Sequence, residues 1–225
     1  MSARIEAVIS DFGGVLTTPL VDTFAALQDE DRIEPGAMRD ALLTIAERDG
    51  AHPLHELECG RMTEHDFLSE LSAQLRSDLG RDDIEMLSFA ERYFAHLQPN
   101  EEMIGFLRRL RDGGYRLAIL TNNVREWEAR WRAMLPVDDL FDVVVDSGFV
   151  GLRKPDPAIY RLTCERLGVA PDACVFVDDV EANCSAAAEL GMHAVVFRSN
   201  QQAIAEMREA LGDEAQLSEP RRSQR

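Results

Sequence analysis

No stretch of this 225-residue sequence is long and uniformly apolar enough to span a bilayer, and no apolar leader-like run opens it. The reading is therefore of a soluble, cytoplasmic protein. Positive charge is scarce: 24 Lys and Arg stand against 41 Asp and Glu, a net charge of -17. That excludes nucleic acid and anionic membrane as partners, because both are held by cationic surfaces. An acidic protein that turns over anions then needs a local positive site. Cysteine is represented only by Cys59, Cys164, Cys174 and Cys184, without close pairing, and Cys174 and Cys184 lie in or beside apolar segments. The thiols read as reduced core residues, not as a disulfide framework. The histidines, His52, His55, His65, His96 and His193, form no metal-ligand spacing and read as surface or core. What the chain does have is 45% hydrophobic content, enough over this length for one large α/β domain or a domain carrying a helical insertion.

The chain is organised around AVISDFGGVLTTP, residues 7–19. An apolar, β-prone run from Ile5 to Ile9 leads to Asp11, with Gly13 and Gly14 behind it, so a buried strand ends in a carboxylate and a glycine turn. Ligands of open α/β sheets collect at such strand ends. From about Val21 to Leu97 the apolar residues recur at helical spacing: Met38, Leu42, Ile45; then Phe67, Leu68, Leu71, Leu75; then Ile84, Leu87, Phe94, Leu97. This predicts about four helices and no strand, with Thr63 as an N-cap and Gly80 as a stop. A helical block in that position reads as an inserted lid.

From Pro99 helix and strand alternate. Asn100 caps a helix that Gly113 and Gly114 end, and Tyr115–Leu120 is a strand that stops at Thr121, Asn122, Asn123. A helix over Arg125–Leu135 carries Trp127 and Trp131, read as core packing, and Pro136 ends it. Phe141–Val145 is a short strand, and LRKPDPAIY places Lys154 in a loop before a helix entered at Pro155–Pro157. The strand Ala173–Val177 stops at Asp178 and Asp179; a helix to Leu190, a strand Ala194–Phe197 and a helix Gln202–Leu211 follow. The polar segment 213–225 reads as a flexible tail. The pattern gives an α/β fold, a Rossmann-like parallel sheet built from residues 1–18 and 98–212, with 19–97 as a helical cap.

Parallel strands would bring Asp11, Thr121, Asp178 and Asp179 to one edge of the sheet, within reach of Lys154. Clustered carboxylates repel unless a cation lies among them, and hard oxygen donors select Mg²⁺. Lys154 adds a point charge and Thr121 a hydroxyl donor; backbone N–H groups at Phe12, Gly13 and Asn122 can line phosphoryl oxygens. Asp11 is then the nucleophile that attacks phosphorus, giving an aspartyl phosphate that water hydrolyses. The pairs Asp82–Asp83 and Asp138–Asp139 close no apolar strand and read as caps or solvated turns.

With these residues in place, the sequence resembles the haloacid dehalogenase superfamily of aspartyl-nucleophile hydrolases over residues 4–211. The four motifs of that family are matched by DFGGVLT, LAILTNN, GLRKPDPAIY and VFVDDVEAN. The insertion containing LECGRMTEHDFLSEL is similar to the cap of the glucose-1-phosphate phosphatases and of the phosphatase domain of soluble epoxide hydrolases. The resemblance implies Mg²⁺ held by Asp11, Asp179 and the carbonyl of Gly13, with Asp178 on a metal-bound water and Asn183 supporting the acidic loop. It implies a hydrolase acting on a small phosphorylated metabolite.

One position departs from the family pattern. Its phosphatases carry a second Asp two residues after the nucleophile, as acid and base for the leaving group, and here that place is Gly13. Such a group is worth about 10²- to 10⁴-fold in rate. Its loss favours leaving groups of low pKa, such as sugar 1-phosphates, acyl phosphates or aryl phosphates, unless a cap histidine such as His52 or His55 substitutes. A weakened relative that binds a phosphorylated ligand or partner, and a metal-free 2-haloacid dehalogenase, are the alternatives to a phosphatase. The acidic pair Asp178–Asp179 speaks against the dehalogenase.

Overall fold

The computed structural model describes residues 4–86 and 88–212, so the tail expected over 213–225 and the helix position expected for Leu87 lie outside the described residues. After β1 (Ala7–Ser10) the chain runs through α1 (Leu20–Glu30), α2 (Ala37–Asp49), α3 (Pro53–Glu58), α4 (Glu64–Leu79) and α5 (Phe89–His96) before it returns to the sheet. It continues as α6 (Glu101–Asp112), β2 (Arg116–Thr121), α7 (Glu128–Arg132), α8 (Val137–Leu140), β3 (Val143–Asp146) and α9 (Ser147–Val150). Last come α10 (Pro157–Leu167), β4 (Cys174–Asp178), α11 (Glu181–Glu189), β5 (His193–Val196) and α12 (Asn200–Leu211). None of the described helices is long and apolar enough to cross a membrane.

The five strands are all parallel, in the order β3-β2-β1-β4-β5. Alternation along each strand explains why both faces are covered. Val8, Leu117, Ile119, Val175 and Val177 join one core with Phe106 and Leu110 of α6 and Met207 of α12. Their neighbours Ile9, Ala118, Leu120 and Phe176 join the opposite core with Ile159 and Tyr160 of α10. The chain passes from β1 to β2 and β3 on one side and returns to β4 and β5 on the other. The strand order therefore reverses at β1, where open sheets form their binding crevice.

The helical insertion holds five helices where the periodicity predicts about four. The additional one, α3, has six residues and is entered at Pro53, too short for an apolar repeat to register. Ile84 is buried ahead of α5 instead of within it. Thr63 and Asn100 cap α4 and α6 as expected, accepting from the N–H of Asp66 and Met103, and Gly80 ends α4 with φ 60°. The helix expected over Arg125–Leu135 is a 3₁₀ turn at Arg125–Trp127 followed by α7, and α8 starts past Pro136 with Asp138 and Asp139 in its first turn. β1 to β4 run one residue beyond their apolar stretches, ending on Ser10, Thr121, Asp146 and Asp178.

Asp146 shows what such a polar strand end costs. Its Oδ1 accepts from the N–H of Gly148 at 2.9 Å, capping α9, and its Oδ2 accepts from the Trp131 indole at 3.3 Å. Burial pushes its carboxyl up to about 6, only partly countered by those donors. The folded value lies above the unfolded one, so the contribution to stability is full below about pH 4 and is lost as pH rises through about 6. Asp146→Asn removes that titration. Unfolding by urea is expected to shift in favour of the variant by roughly 1–3 kcal/mol between pH 5 and pH 8, relative to the unmodified chain. An unchanged difference at the two pH values would mean the carboxylate stays solvated.

Candidate active site

Register puts the carboxyl ends of β1, β2 and β4 side by side, with Ser10 opposite both Ile119 and Val177. Asp11 comes next, its N–H donating to the carbonyl of Val177 at 2.9 Å. The Lys154 ammonium lies 2.8 Å from Asp11 Oδ1 and 2.5 Å from Asp178 Oδ2. Lys154 is 1% exposed and is the only lysine in the sequence, a signal that composition alone carries and that motif reading passed over. Asp178 is wholly buried; Val180 N–H donates to its Oδ1 at 2.8 Å and Asn183 Nδ2 reaches both oxygens at 3.0 and 3.1 Å. One oxygen from each of Asp11, Asp178 and Asp179 lies within 4.8 Å of the others.

The side chain of Asn122 has a task that the sequence did not reveal. Its Nδ2 donates to the Lys154 carbonyl at 3.0 Å and its Oδ1 accepts from the Lys154 N–H at 2.8 Å. The two bonds clamp the loop that delivers the ammonium to the end of β2. Gly14 is needed for a different reason. It has φ 78°, and a Cβ there would lie 2.3 Å from Asp179 Oδ2, so only glycine lets the acidic loop close onto the turn after β1. Beside it, a Cβ on Gly13 would stand 2.8 Å from Cδ1 of Leu20 on α1.

Burial raises the Asp11 carboxyl to about 8, with Asp178 and Asp179 adding to the rise and Lys154 opposing it. Burial, then the charge of Asp178, also raises Asp179. For Lys154, burial works against the charged form, but Asp11 and Asp178 outweigh it and hold the ammonium above its usual range. The cluster thus holds more acidic groups than its one cation offsets, and burial drives the excess toward the neutral form.

Asp11, Phe12, Gly13, Thr121, Asn122, Lys154, Asp179 and Asn183 all face a cavity of about 670 Å³; Asp178 lies beneath it. The opposite walls come from the helical insertion, including Leu57, Phe67, Leu71, Phe89 and Phe94, and from Trp127. Trp131 is core, as expected, but Trp127 is half-buried and lines this chamber, its indole N–H donating to Glu64 at 2.8 Å. His52 also lines it, whereas His55 faces a separate cleft of about 450 Å³. Burial, and then Arg153, push both imidazoles down, toward the neutral form.

Two further contacts tie the insertion to the sheet. Arg153, next to Lys154, pairs with Glu58 of α3 at 2.7 Å. Gly60, with φ 65°, packs so closely that a Cβ would lie 2.3 Å from the carbonyl oxygen of Gly148. Gly60→Ala meets both the left-handed backbone and this contact, and is expected to lower unfolding stability by at least about 1 kcal/mol in urea titration. Stability equal to that of the unmodified chain would show that the two segments separate freely.

All four cysteines are free and buried, and the fold brings Cys164 and Cys174, ten positions apart, to an Sγ–Sγ distance of 3.9 Å.

The family model described as haloacid dehalogenase-like hydrolase matches residues 5–191. The chain belongs to this family. Among relatives of known sequence, mouse acyl-CoA dehydrogenase family member 10 is 29% identical over 96% of this chain, which spans only 20% of that protein's length. The sesquiterpene phosphatase astK of Aspergillus oryzae is 27% identical, covering 94% of this chain and 100% of its own. The solved structure of a HAD phosphatase from Thermococcus onnurineus superimposes with a TM-score of 0.60 at 27% identity, over 93% of this chain and 99% of that one. The parallel sheet with β1 at its centre is thus the fold of haloacid dehalogenase-like hydrolases, as the sequence motifs imply.

Proposed function

We propose that this hydrolase is a Mg²⁺-dependent phosphomonoesterase in which Asp11 accepts the phosphoryl group of a small phosphorylated metabolite. The observation that carries the reading is that the Lys154 ammonium lies within 2.8 Å of both Asp11 and Asp178 at the strand ends, with Asp179 beside them. Whole-length similarity to astK, named as a phosphatase, and to the T. onnurineus phosphatase supports it.

The donor set fits a hard divalent cation. Three carboxylates against one ammonium leave a formal excess of two negative charges in a largely buried space, and all the donors are oxygen. Asp11 and Asp179 would hold the ion together with the carbonyl of Gly13, with Asp178 behind them. Bound Mg²⁺ supplies neutralising charge for the phosphoryl oxygens.

The chain's own groups do the rest. An oxygen of Asp11 forms the bond to phosphorus as the bond to the ester oxygen breaks, and water later hydrolyses the aspartyl phosphate. The Lys154 ammonium stabilises the anionic phosphoryl group, while the hydroxyl of Thr121 and the N–H groups of Phe12, Gly13 and Asn122 donate to its oxygens. Asn183 acts indirectly, holding Asp178 and through it the lysine. Residues 19–97 serve as a cap over a core of residues 1–18 and 98–212, closing the chamber against water.

Incubation with phenyl phosphate tests the reading. Phosphate release is expected with Mg²⁺ and not with EDTA, and acid quenching followed by mass spectrometry should find the phosphoryl group on the peptide that contains Asp11. No release with Mg²⁺ would leave a pocket that binds phosphate without turning it over.

A further inference from the structure

The chamber beside Asp11 is unlike a site for a sugar or polyol. Leu57, Phe67, Leu71, Phe89, Phe94 and Trp127 form its walls. Several polar side chains that reach it are already engaged with one another or with backbone: Glu58 with Arg153 at 2.7 Å, Glu64 with the Trp127 indole at 2.8 Å, and Asn123 with the N–H of Val124 at 2.9 Å. Gln28, Arg39 and the unpartnered Nδ1 of His52 also reach it, but most of the wall is hydrocarbon, so an apolar group gains more here than a hydroxylated one.

The second observation concerns the departing oxygen. Residue 13 has no side chain, and the space a Cβ would take is filled by Leu20, 2.8 Å away. His52, on the chamber wall, is pushed toward its neutral form by burial and by Arg153. With no side chain at residue 13 and His52 pushed toward its neutral form, the site favours a leaving group that departs as a stable anion. A phenol, with a pKa near 10 like the side chain of tyrosine, does this far more readily than an aliphatic alcohol.

We propose that the substrate is the monophosphate ester of a bulky, apolar phenol, with its hydrocarbon in the chamber and its phosphate at Asp11 and Lys154. The inference rests on the phosphatase reading above. In the reaction an Asp11 oxygen bonds to phosphorus, the aryl P–O bond breaks with its electron pair going to the phenolate, and the phenolate is protonated by solvent. Water then cleaves the aspartyl phosphate to the free carboxylate and inorganic phosphate.

The test is a series of para-alkylphenyl phosphates, from methyl to hexyl, whose parent phenols have nearly equal acidity, alongside alkyl phosphates of matched size. With Mg²⁺ present, kcat/KM is expected to rise about fourfold per added methylene until the chamber is filled. The matched alkyl phosphates are expected to inhibit competitively but to react at least about 100-fold more slowly. Equal kcat/KM for the methyl and hexyl esters would overturn the apolar chamber, and alkyl esters as fast as aryl ones would overturn the phenol. Binding is read separately by tryptophan fluorescence, whose ligand-facing component is Trp127 on the chamber wall, Trp131 being buried in the core. Quenching by para-hexylphenol without phosphate release from any ester would retire the phosphatase reading and keep the chamber's apolar preference. Neither release nor quenching would overturn both.

Discussion

If Asp11 is the nucleophile, as proposed, Asp11→Asn is expected to reduce phosphate release from an aryl phosphate by about 10⁴-fold or more while the protein remains folded, because losing the attacking group of a covalent mechanism abolishes nearly all of its rate. The substitution changes little else. The amide oxygen can still accept from the N–H of Phe12, which lies 2.7 Å from Asp11 Oδ1, and Lys154 keeps its contact with Asp178 at 2.5 Å. The variant also loses a carboxylate whose folded value, about 8, is far above its unfolded one. A group raised in this way contributes stability at low pH and loses it as pH rises toward 8. Without metal, the variant should therefore melt no lower than the unmodified chain at pH 8. Rates with Mg²⁺ and thermal melts without it check the two halves. A rate within tenfold of the unmodified protein would move the nucleophile to another residue.

Gly13→Asp is expected to act in the opposite direction. Placing a carboxyl two residues after Asp11 supplies an acid for the leaving oxygen, and alkyl phosphates should gain about 10²- to 10⁴-fold in kcat/KM, aryl esters far less. The backbone permits it: residue 13 is not among the glycines with positive φ. The obstruction is Cδ1 of Leu20, the far end of a flexible side chain at the first residue of α1, which has to turn aside. The measurement is the ratio of alkyl to aryl turnover in the two proteins. An unchanged ratio would show that protonation of the leaving group is not what this site lacks.

Much of this arrangement is legible in the sequence because apolar strands end on charged residues. Ile5–Ile9 before Asp11 and Ala173–Val177 before Asp178 and Asp179 encode both the strands and the place where their carboxylates meet. Lys154 is legible through its proline-rich loop. What escaped are contacts without a local pattern. The clamp of Asn122 on the Lys154 backbone joins positions 32 residues apart, and Arg153 meets Glu58 across 95. Helical periodicity places Phe67 and Leu71 on a buried face but cannot tell packed core from chamber wall, and the same holds for Trp127, read as core. Short helices such as α3 and α9 have too few residues for any period to appear.

A single ε-amine in the whole polypeptide, sealed at 1% exposure, turns the enzyme into its own reporter. Acylating or reductive-methylation reagents can mark only that one lysine side chain. The pace of its modification therefore reports how often the structure around it opens to solvent, with no engineered label and no background from other lysines.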